Sequence, residues 1–391
     1  MDATELIATI NRGESSKVQF KERLPHIDSL AHELIAFVNT HGGFLLVGVN
    51  DKTGDLNGLS FSEIQHSNSQ IVNAASQKVF PPVHVITETV SVGDHNVIVV
   101  RIDEGNAKPY KDRNGVIYIK NGTDKRKVTS NDELARLLRE GGSLYAEEMP
   151  IKGSSIDDID IEQFNLFLLK KYKKTLEELL QENLTIEQIL ENLNLAKNKE
   201  FFLSGLLLFS KKRHFFLPQF SIQCVSADGS IIDYAFSDNE RALEGTIFTV
   251  FQRAMDFIGR NMKKIPETSG FNSATKWEVP HEVFEELLVN ALVHRDYFIS
   301  STIKVFVYTN RVEIISPGRL PNSLTVENIK NGVSIIRNPV LLSALQYILP
   351  YKGLGTGIRR SYSLYPDITM ENKIDENQFK AVIWRKEGSL A

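Results

Sequence analysis

The chain has 391 residues, of which 42% are hydrophobic and 24% are charged, and these values indicate a folded protein of two or three domains. A single cysteine, Cys224, excludes a disulfide framework and a thiolate metal site, and a net charge of −4 leaves only local basic patches for contact with nucleic acid. No secretion signal opens the sequence and no apolar run reaches the length of a membrane span, so we expect a cytoplasmic protein without a membrane partner.

The first motif is ESSKVQFK, residues 14–21. An apolar helix is predicted over 31–38, with Gly42-Gly43 at its end, and the apolar run 44–49 predicts a buried strand that ends near Asn50-Asp51. These segments resemble the Schlafen/AlbA-type domain, whose signature is ESxxxEFK, a helix ending in two glycines and a strand ending in GVdD. The resemblance spans about residues 10–140 and includes the strand GVIYIKNGTDKRK.

The resemblance implies a domain that acts on nucleic acid. Some Schlafen-type proteins are nucleases, in which two glutamates and one aspartate hold a divalent metal at a phosphodiester. Glu14 and Asp51 match two of these ligands, but Gln19 stands in place of the second glutamate. Because a neutral amide is a weaker ligand for a hard cation, cleavage at Glu14 and Asp51 is an alternative prediction, and so is a purely structural role as helix cap and turn residue.

Basic residues accumulate between 108 and 127, with Tyr110 and Tyr118 among them. Cations on a strand edge attract phosphates, and aromatic faces stack on unpaired bases. The segment therefore predicts a face that binds DNA or RNA, with a solvated basic strand as the plain alternative. The predicted contacts are Lys21, Lys111, Lys120, Lys125, Arg126 and Lys127.

The middle of the chain predicts a domain boundary. Ser130 and Glu133 predict a capping box at the start of a helix, which Gly141-Gly142 ends. We predict a nucleic-acid-binding domain over 1–143, a linker and helical connector over 144–198, and a third region over 199–391. The helical pattern between 161 and 195 also fits a small winged helix, although we favour a connector.

The most informative segment is EELLVNALVHRDY, residues 285–297. In a helix, Glu282, Glu286, Asn290 and His294 share one face, while most other positions are apolar. Buried polar groups without partners cost about 1–3 kcal/mol each, so the stripe indicates a binding site. A carboxylate one turn before an amide suits nucleotide hydrolysis, because Glu286 can take a proton from water while Asn290 faces magnesium. The alternative is that the stripe only ties the helix to a neighbouring domain.

Two downstream segments extend this pattern. RVEIISPGRLP predicts a strand entering a Pro-Gly turn, and KGLGTGIRR places glycines at alternate positions before basic residues. With NALVHRDY and Arg337-Asn338-Pro339, they resemble the Bergerat-fold ATPases and, more closely, the ATP-binding C-terminal module of bacterial RecG-like proteins. The resemblance covers about the final half of the chain and implies ATP and Mg²⁺ as cofactors. The implied nucleotide-binding residues are Asn290 (also the Mg²⁺ ligand), His294, Ser316, Gly318, Gly353, Gly355 and Gly357.

One position departs from the better-known Bergerat ATPases. Ser316 stands where they carry the aspartate that accepts the adenine amino group, and a hydroxyl is a weaker acceptor than a carboxylate. No GxxxxGK[ST] motif is present, so the sequence does not support a helicase motor. The predicted fold class is α+β: a Schlafen/AlbA-type α/β domain, a helical connector, and a Bergerat-like α/β sandwich with a mixed sheet and helices on one face.

The resulting prediction is a nucleotide-responsive nucleic-acid-binding protein, either a transcriptional regulator or a defence-type effector. ATP bound in the C-terminal domain would modulate DNA or RNA binding by the N-terminal domain, in a homo-oligomer of two or more subunits. Weak ATP hydrolysis through Glu286 is left open. The alternatives are a metal-dependent endonuclease that uses Glu14 and Asp51, and a non-catalytic scaffold with degenerate pockets.

Overall fold

The computed structural model describes residues 1–230, 237–242, 244–266, 275–321, 324–351 and 355–386. The chain divides into two compact units, Met1–Leu144 and Tyr145–Ala391. Each unit combines helices with a sheet, which confirms the predicted α+β class. Among the described helices, none has both the length and the apolar character needed to cross a bilayer.

The first unit contains four helices and six strands among its described residues. Its helices are α1 (Ala3–Arg12), α2 (Ile27–Val38), α3 (Phe61–Gln77) and α4 (Asn131–Glu140). Its strands are β1 (Val18–Lys21), β2 (Gly43–Val47), β3 (Val85–Val92), β4 (His95–Ile102), β5 (Tyr118–Asn121) and β6 (Asp124–Lys127). The predicted apolar helix and the buried strand after it are therefore confirmed as α2 and β2.

Strands β1 to β4 form one sheet in the order β1-β2-β4-β3, with β1 parallel to β2 and the other pairs antiparallel. Successive side chains of a strand point to opposite faces, and β2 follows this rule because Leu45 and Val47 enter one hydrophobic cluster and Leu46 enters another. Both faces of this sheet are therefore covered, and β1 lies at its edge, where the ESSKVQFK motif ends.

Strands β5 and β6 form a separate hairpin, and α4 follows it. Ser130 caps α4, as predicted, by accepting a hydrogen bond from the Asp132 amide at 3.2 Å. The predicted capping box is wrong, because the Glu133 carboxylate binds the Arg126 guanidinium instead of the Ser130 amide. A long-range ion pair has thus replaced a local bond.

The second unit begins with a helical region and continues into an α/β region. The first part contains α5 (Ile161–Tyr172), α6 (Leu176–Gln181), α7 (Ile186–Asn192), β7 (Ala196–Lys197), β8 (Glu200–Phe201), α8 (Leu203–Phe209) and α9 (Arg213–Phe216). The second part contains β9 (Ile222–Ser226), β10 (Asp238–Ala242), α10 (Ile247–Asn261), β11 (Lys264–Pro266), β12 (Thr275–Trp277), α11 (His281–His294), β13 (Ile303–Val307), β14 (Arg311–Pro317), α12 (Val326–Lys330), α13 (Pro339–Ile348), α14 (Gly357–Leu364), β15 (Ile368–Lys373) and β16 (Gln378–Trp384).

Six of these strands form a mixed sheet in the order β10-β9-β13-β14-β16-β15, in which only the β13–β9 pair is parallel. Alternate residues of its central strands, such as Val305, Val312 and Ile314, enter the core with the apolar residues of α10 and α11. Helix α11 is apolar on most of its circumference, so it packs into this core and turns only its polar stripe toward open space.

Candidate functional site

Helix α11 forms one wall of a cavity of about 570 Å³, called here the α11 cavity. Glu286, Asn290 and His294 all line it, as their i,i+4 spacing on the helix allows. The other walls come from the turn after β14, from the segment that follows α12, and from the start of α14. Four elements that are distant in sequence therefore converge on the polar stripe.

Glu286 and Asn290 are linked directly. The Asn290 side-chain amide donates to Glu286 Oε1 and to the Glu286 carbonyl oxygen, each at 2.7 Å. Burial raises the pKa of the Glu286 carboxyl group, while the hydrogen bond from Asn290 opposes that rise. A raised pKa brings a carboxylate closer to the range that suits a general base, and the bonded amide fixes its orientation.

His294 stands one turn beyond Asn290. Burial and the nearby Arg337 guanidinium lower the pKa of His294 to about 4, so its imidazole is neutral at pH 7. Arg337 donates to the carbonyl oxygens of His294 at 3.0 Å and Arg319 at 2.9 Å. Asn338 donates to the carbonyl oxygens of Val293 and Arg295. The Arg-Asn-Pro element therefore secures the C-terminal end of α11.

The Pro-Gly turn lies beside the same helix. Ser316 is buried, and its hydroxyl donates to the Ala291 carbonyl oxygen at 3.1 Å, which leaves the hydroxyl oxygen as an acceptor. Gly318 has a φ of +101°, and a Cβ there would lie 2.7 Å from the Asp296 Cβ. Only glycine fits this close approach, so the turn can bring bare backbone to the α11 cavity.

The glycine segment lies opposite α11. Gly353 is outside the described residues, whereas Gly355 and Gly357 both line the α11 cavity. A Cβ at Gly357 would overlap the Glu286 carboxylate, so the start of α14 approaches that carboxylate closely. The Thr356 side chain does not cap α14, and the amides of a helix's first turn have no acceptor within the helix itself.

Arg360 and Tyr351 are among the lining residues that sequence reasoning did not assign to the site. Arg360, one turn into α14, opposes the burial-driven rise of the Glu286 pKa, and its position after GTGI was the available signal. Burial, together with the charge of Glu286, raises the pKa of the Tyr351 hydroxyl to about 12. The floor of the α11 cavity is apolar, and no motif predicted it: Ile314, Met370 and Ala381 come from three strands.

In the first unit, the two predicted metal ligands bind other partners. Glu14 Oε1 accepts from the Gln19 side-chain amide at 2.5 Å and from the Phe20 backbone amide at 2.7 Å. Asp51 Oδ2 lies 3.4 Å from Lys21 Nζ. Within the described ranges, no three His, Cys, Asp or Glu side chains are grouped so that they could hold a metal ion. The donor set at β1 therefore does not fit the implied divalent cation.

Several residues of the basic segment are less exposed to solvent than predicted. Lys120 is buried, and its ammonium donates to Gln19 Oε1 at 2.7 Å and to the Thr123 carbonyl oxygen at 2.6 Å. Tyr110 and Tyr118 are buried as well, and the Asn39 amide binds both of their carbonyl oxygens. These three residues cannot form the exposed face that the pattern predicted.

The other predicted cations lie closer to solvent, but most of them are paired. Lys21 lies beside Asp51, Lys125 binds Glu33, and Arg126 binds Glu133. Lys111 and Lys127 are exposed, and neither forms an ion pair with any residue that the structure describes. The face available for phosphate contact is consequently smaller than the sequence suggests.

The first unit contains a mixed sheet with a buried polar motif at its edge. The second unit contains the α11 cavity, which lies between a sheet and helices and has the size of a nucleotide site. Residues 14–129 match the family model described as "Schlafen, AlbA_2", and residues 300–383 match the one described as "Putative ATP-dependent DNA helicase recG C-terminal". The chain therefore carries a Schlafen/AlbA_2 domain followed by a RecG-like C-terminal domain of the ATPase type. Together, these domain types indicate a nucleic-acid-related, ATP-associated function.

The solved structures to which the chain is similar include the following two. The DIP2311 protein from Corynebacterium diphtheriae is 19% identical with a TM-score of 0.49, over 98% of this chain and 80% of that protein. The N-terminal domain of the "Putative ATP-dependent DNA Helicase RecG-related Protein" from Nitrosomonas europaea is 23% identical with a TM-score of 0.24, over 34% of this chain and 96% of that domain. No curated protein gives a significant match.

Proposed function

We propose that this chain is a nucleotide-responsive nucleic-acid-binding protein, acting as a transcriptional regulator or a defence-type effector. ATP with Mg²⁺ would occupy the α11 cavity and change the affinity of the first unit for DNA or RNA. The observation that carries the proposal is the pairing of Glu286 and Asn290 on one wall of the α11 cavity with the uncapped start of α14 opposite them.

The residues of the α11 cavity fit an adenine nucleotide. Its volume of about 570 Å³ is within the usual range for small-molecule sites. The apolar floor suits a base, and the free acceptor capacity of the Ser316 hydroxyl suits an amino group. Free amides at the start of α14 suit phosphate oxygens. These features support binding of the whole nucleotide along the α11 stripe.

Asn290 would be the protein ligand of Mg²⁺, because its amide nitrogen is already bonded to Glu286 and its carbonyl oxygen remains an acceptor. When bound, Mg²⁺ neutralises phosphate charge. Glu286 holds a carboxylate of raised pKa next to this amide, so it is the candidate to accept a proton from water if hydrolysis occurs. We propose weak hydrolysis at most, with Glu286 as the general base.

The nucleic-acid part of the proposal uses the exposed cations of the first unit. Lys111 and Lys127 carry charge into solvent, and Arg113 is exposed beside Lys111. Cations of this kind contact phosphates without reading sequence, and each phosphate contact steepens the salt dependence of binding. Lys120 is buried and is therefore not included in this surface.

The proposal is tested by thermodynamic linkage. If ATP changes nucleic-acid affinity by a given factor, nucleic acid must change ATP affinity by the same factor, which is typically about 5-fold to 150-fold. Calorimetry with ATP and Mg²⁺, and fluorescence anisotropy with labelled single- and double-stranded RNA and DNA, measure the two factors independently. We expect them to agree.

Three variants separate the parts of the proposal. Asn290→Ala should abolish ATP binding and leave basal nucleic-acid affinity intact, whereas Lys111→Glu with Lys127→Glu should do the reverse. Arg359→Gln is the control, because Arg359 is exposed on α14 and does not line the α11 cavity. Absence of any heat with ATP, ADP or a non-hydrolysable analogue would refute nucleotide binding. ATP binding with unequal or absent linkage factors would refute the regulatory part alone.

A further inference from the structure

The β1 edge contains a group of polar contacts that the nucleotide proposal does not use. Gln19 and Lys21 are two residues apart on β1, so their side chains leave the same face of the strand. The Gln19 amide group donates to Glu14 at 2.5 Å, and Lys21 Nζ lies 3.4 Å from Asp51 Oδ2. Each carboxylate that a Schlafen-type metal site would require is therefore already held by a donor from β1.

Lys120, on β5, takes part in these polar contacts. Its side chain is completely shielded from solvent. Its ammonium donates to Gln19 Oε1 at 2.7 Å, lies 3.7 Å from Glu33 Oε2, and stands over the Phe37 ring at 4.8 Å. A buried ammonium that binds a neutral amide, a carbonyl oxygen and a nearby carboxylate has the partners that it needs to remain charged.

These contacts explain why residue 19 is glutamine. Its NH₂ group faces the Glu14 carboxylate and its carbonyl oxygen faces the Lys120 ammonium, so one amide bridges a negative group and a positive group. A glutamate at this position could accept from Lys120 but could not donate to Glu14. Two carboxylates would then face each other, and a shared proton or a cation between them would have to offset their repulsion.

The cluster contains cations of its own. Three ammonium groups lie beside its carboxylates: Lys21 beside Asp51, and Lys120 and Lys125 beside Glu33. A divalent cation would add two positive charges beside a buried ammonium, and like charges in a poorly solvated site repel strongly.

We propose that the Lys120 ammonium is the resident cation of this site and takes the place of the divalent metal ion. Glu14 then braces β1, Asp51 ties the segment after β2 to β1, and Gln19 joins β1 to Lys120 of β5. In these roles Glu14 and Asp51 do not support metal-dependent cleavage of a phosphodiester. This last point rests on the proposed function: the Schlafen/AlbA_2 domain would contact nucleic acid without a metal at Glu14.

The test measures Mn²⁺ binding to the full-length, nucleotide-free protein by electron paramagnetic resonance. Wild type and Glu14→Ala should bind Mn²⁺ equally weakly, and wild type should leave labelled single-stranded RNA intact in Mn²⁺. The double variant Gln19→Glu/Lys120→Met restores the carboxylate and removes the ammonium. It should gain one Mn²⁺ site, at least about 10-fold tighter than any site in wild type, and Asp51→Ala should abolish that gain.

Gln19→Glu/Lys125→Met is the matched control, because Lys125 contacts Glu33 and leaves the Lys120 contact with residue 19 in place. It should gain no Mn²⁺ site. Mn²⁺ binding or RNA cleavage by wild type that Glu14→Ala abolishes would overturn the proposal, as would a folded double variant without the new site. If circular dichroism shows that the double variant is unfolded, the comparison of wild type with Glu14→Ala decides alone.

Discussion

Glu147 provides a quantitative test of how burial and hydrogen bonding compete in the second unit. It lies in the 3-10 helix Ala146–Glu148 and has no exposed surface. Its carboxylate oxygens accept from the backbone amides of Val340 at 2.8 Å and Leu341 at 2.7 Å, at the start of α13. Burial raises the pKa of the Glu147 carboxyl group to about 7, although these two hydrogen bonds oppose the rise.

The change in the Glu147 pKa, from the ordinary value of 4.5 to about 7, determines the sign and size of its effect on the free energy of unfolding. Between these two values the unfolded chain has released the Glu147 proton while the folded chain still holds it. The stabilisation from proton binding is therefore complete below pH 4.5 and is lost as the pH rises through 7. At 1.36 kcal/mol per pKa unit, the loss amounts to about 3 kcal/mol in the free energy of unfolding.

The perturbation is Glu147→Gln, which keeps an acceptor oxygen and removes the titration. Urea unfolding of both proteins between pH 4 and 8, followed by tryptophan fluorescence, reports the second unit because Trp277 and Trp384 are the only tryptophans. We expect the free energy of unfolding of the variant to rise by about 3 kcal/mol relative to that of wild type as the pH rises from 4.5 to above 7. Exposed Glu376→Gln, in the same unit, is the control and should follow wild type.

Comparison of the two proteins removes contributions that they share. His294 contributes the opposite slope, since its lowered pKa of about 4 makes stability rise with pH up to the ordinary value of 6.5. A stability difference that is constant from pH 5 to 8 and changes only below 4.5 would refute the reasoning. It would show that the amides of α13, and not burial, set the Glu147 pKa.

Three further predictions concern the α11 cavity. Arg360→Gln should weaken ATP binding about 10-fold and ADP binding less, because a charge-assisted hydrogen bond is worth about 1.5–3 kcal/mol. An equal loss of ATP affinity for Arg359→Gln, measured by calorimetry, would exclude a specific phosphate contact. Gly357→Ala places a Cβ against the Glu286 carboxylate and should weaken ATP by at least about 10-fold, so unchanged affinity would show that α14 does not close on α11. Ser316→Asp should strengthen ATP binding relative to GTP binding, because a carboxylate is the stronger acceptor for an amino group. An unchanged ratio of the two dissociation constants would place the base elsewhere.

The sequence alone determined the features that depend on local geometry. The polar stripe of α11 is visible because a helix brings residues four apart onto one face, whatever surrounds it. The buried strand β2 is visible because an apolar run of that length, ended by a polar turn, has few other solutions. The glycine at 318 was identified as a turn residue, and the structure adds that a Cβ there would strike Asp296.

Contacts between distant segments were decided only by the tertiary structure. Lys120 was predicted to contact nucleic acid as a cation on a strand edge, yet it meets Gln19, 101 positions earlier in the chain. Glu147 caps a helix that begins almost two hundred residues later, in place of any local cap. The physical reason is common to both cases: a polar side chain far from water must find a partner, and the nearest available partner is set by how the chain packs, which leaves no periodicity in the sequence.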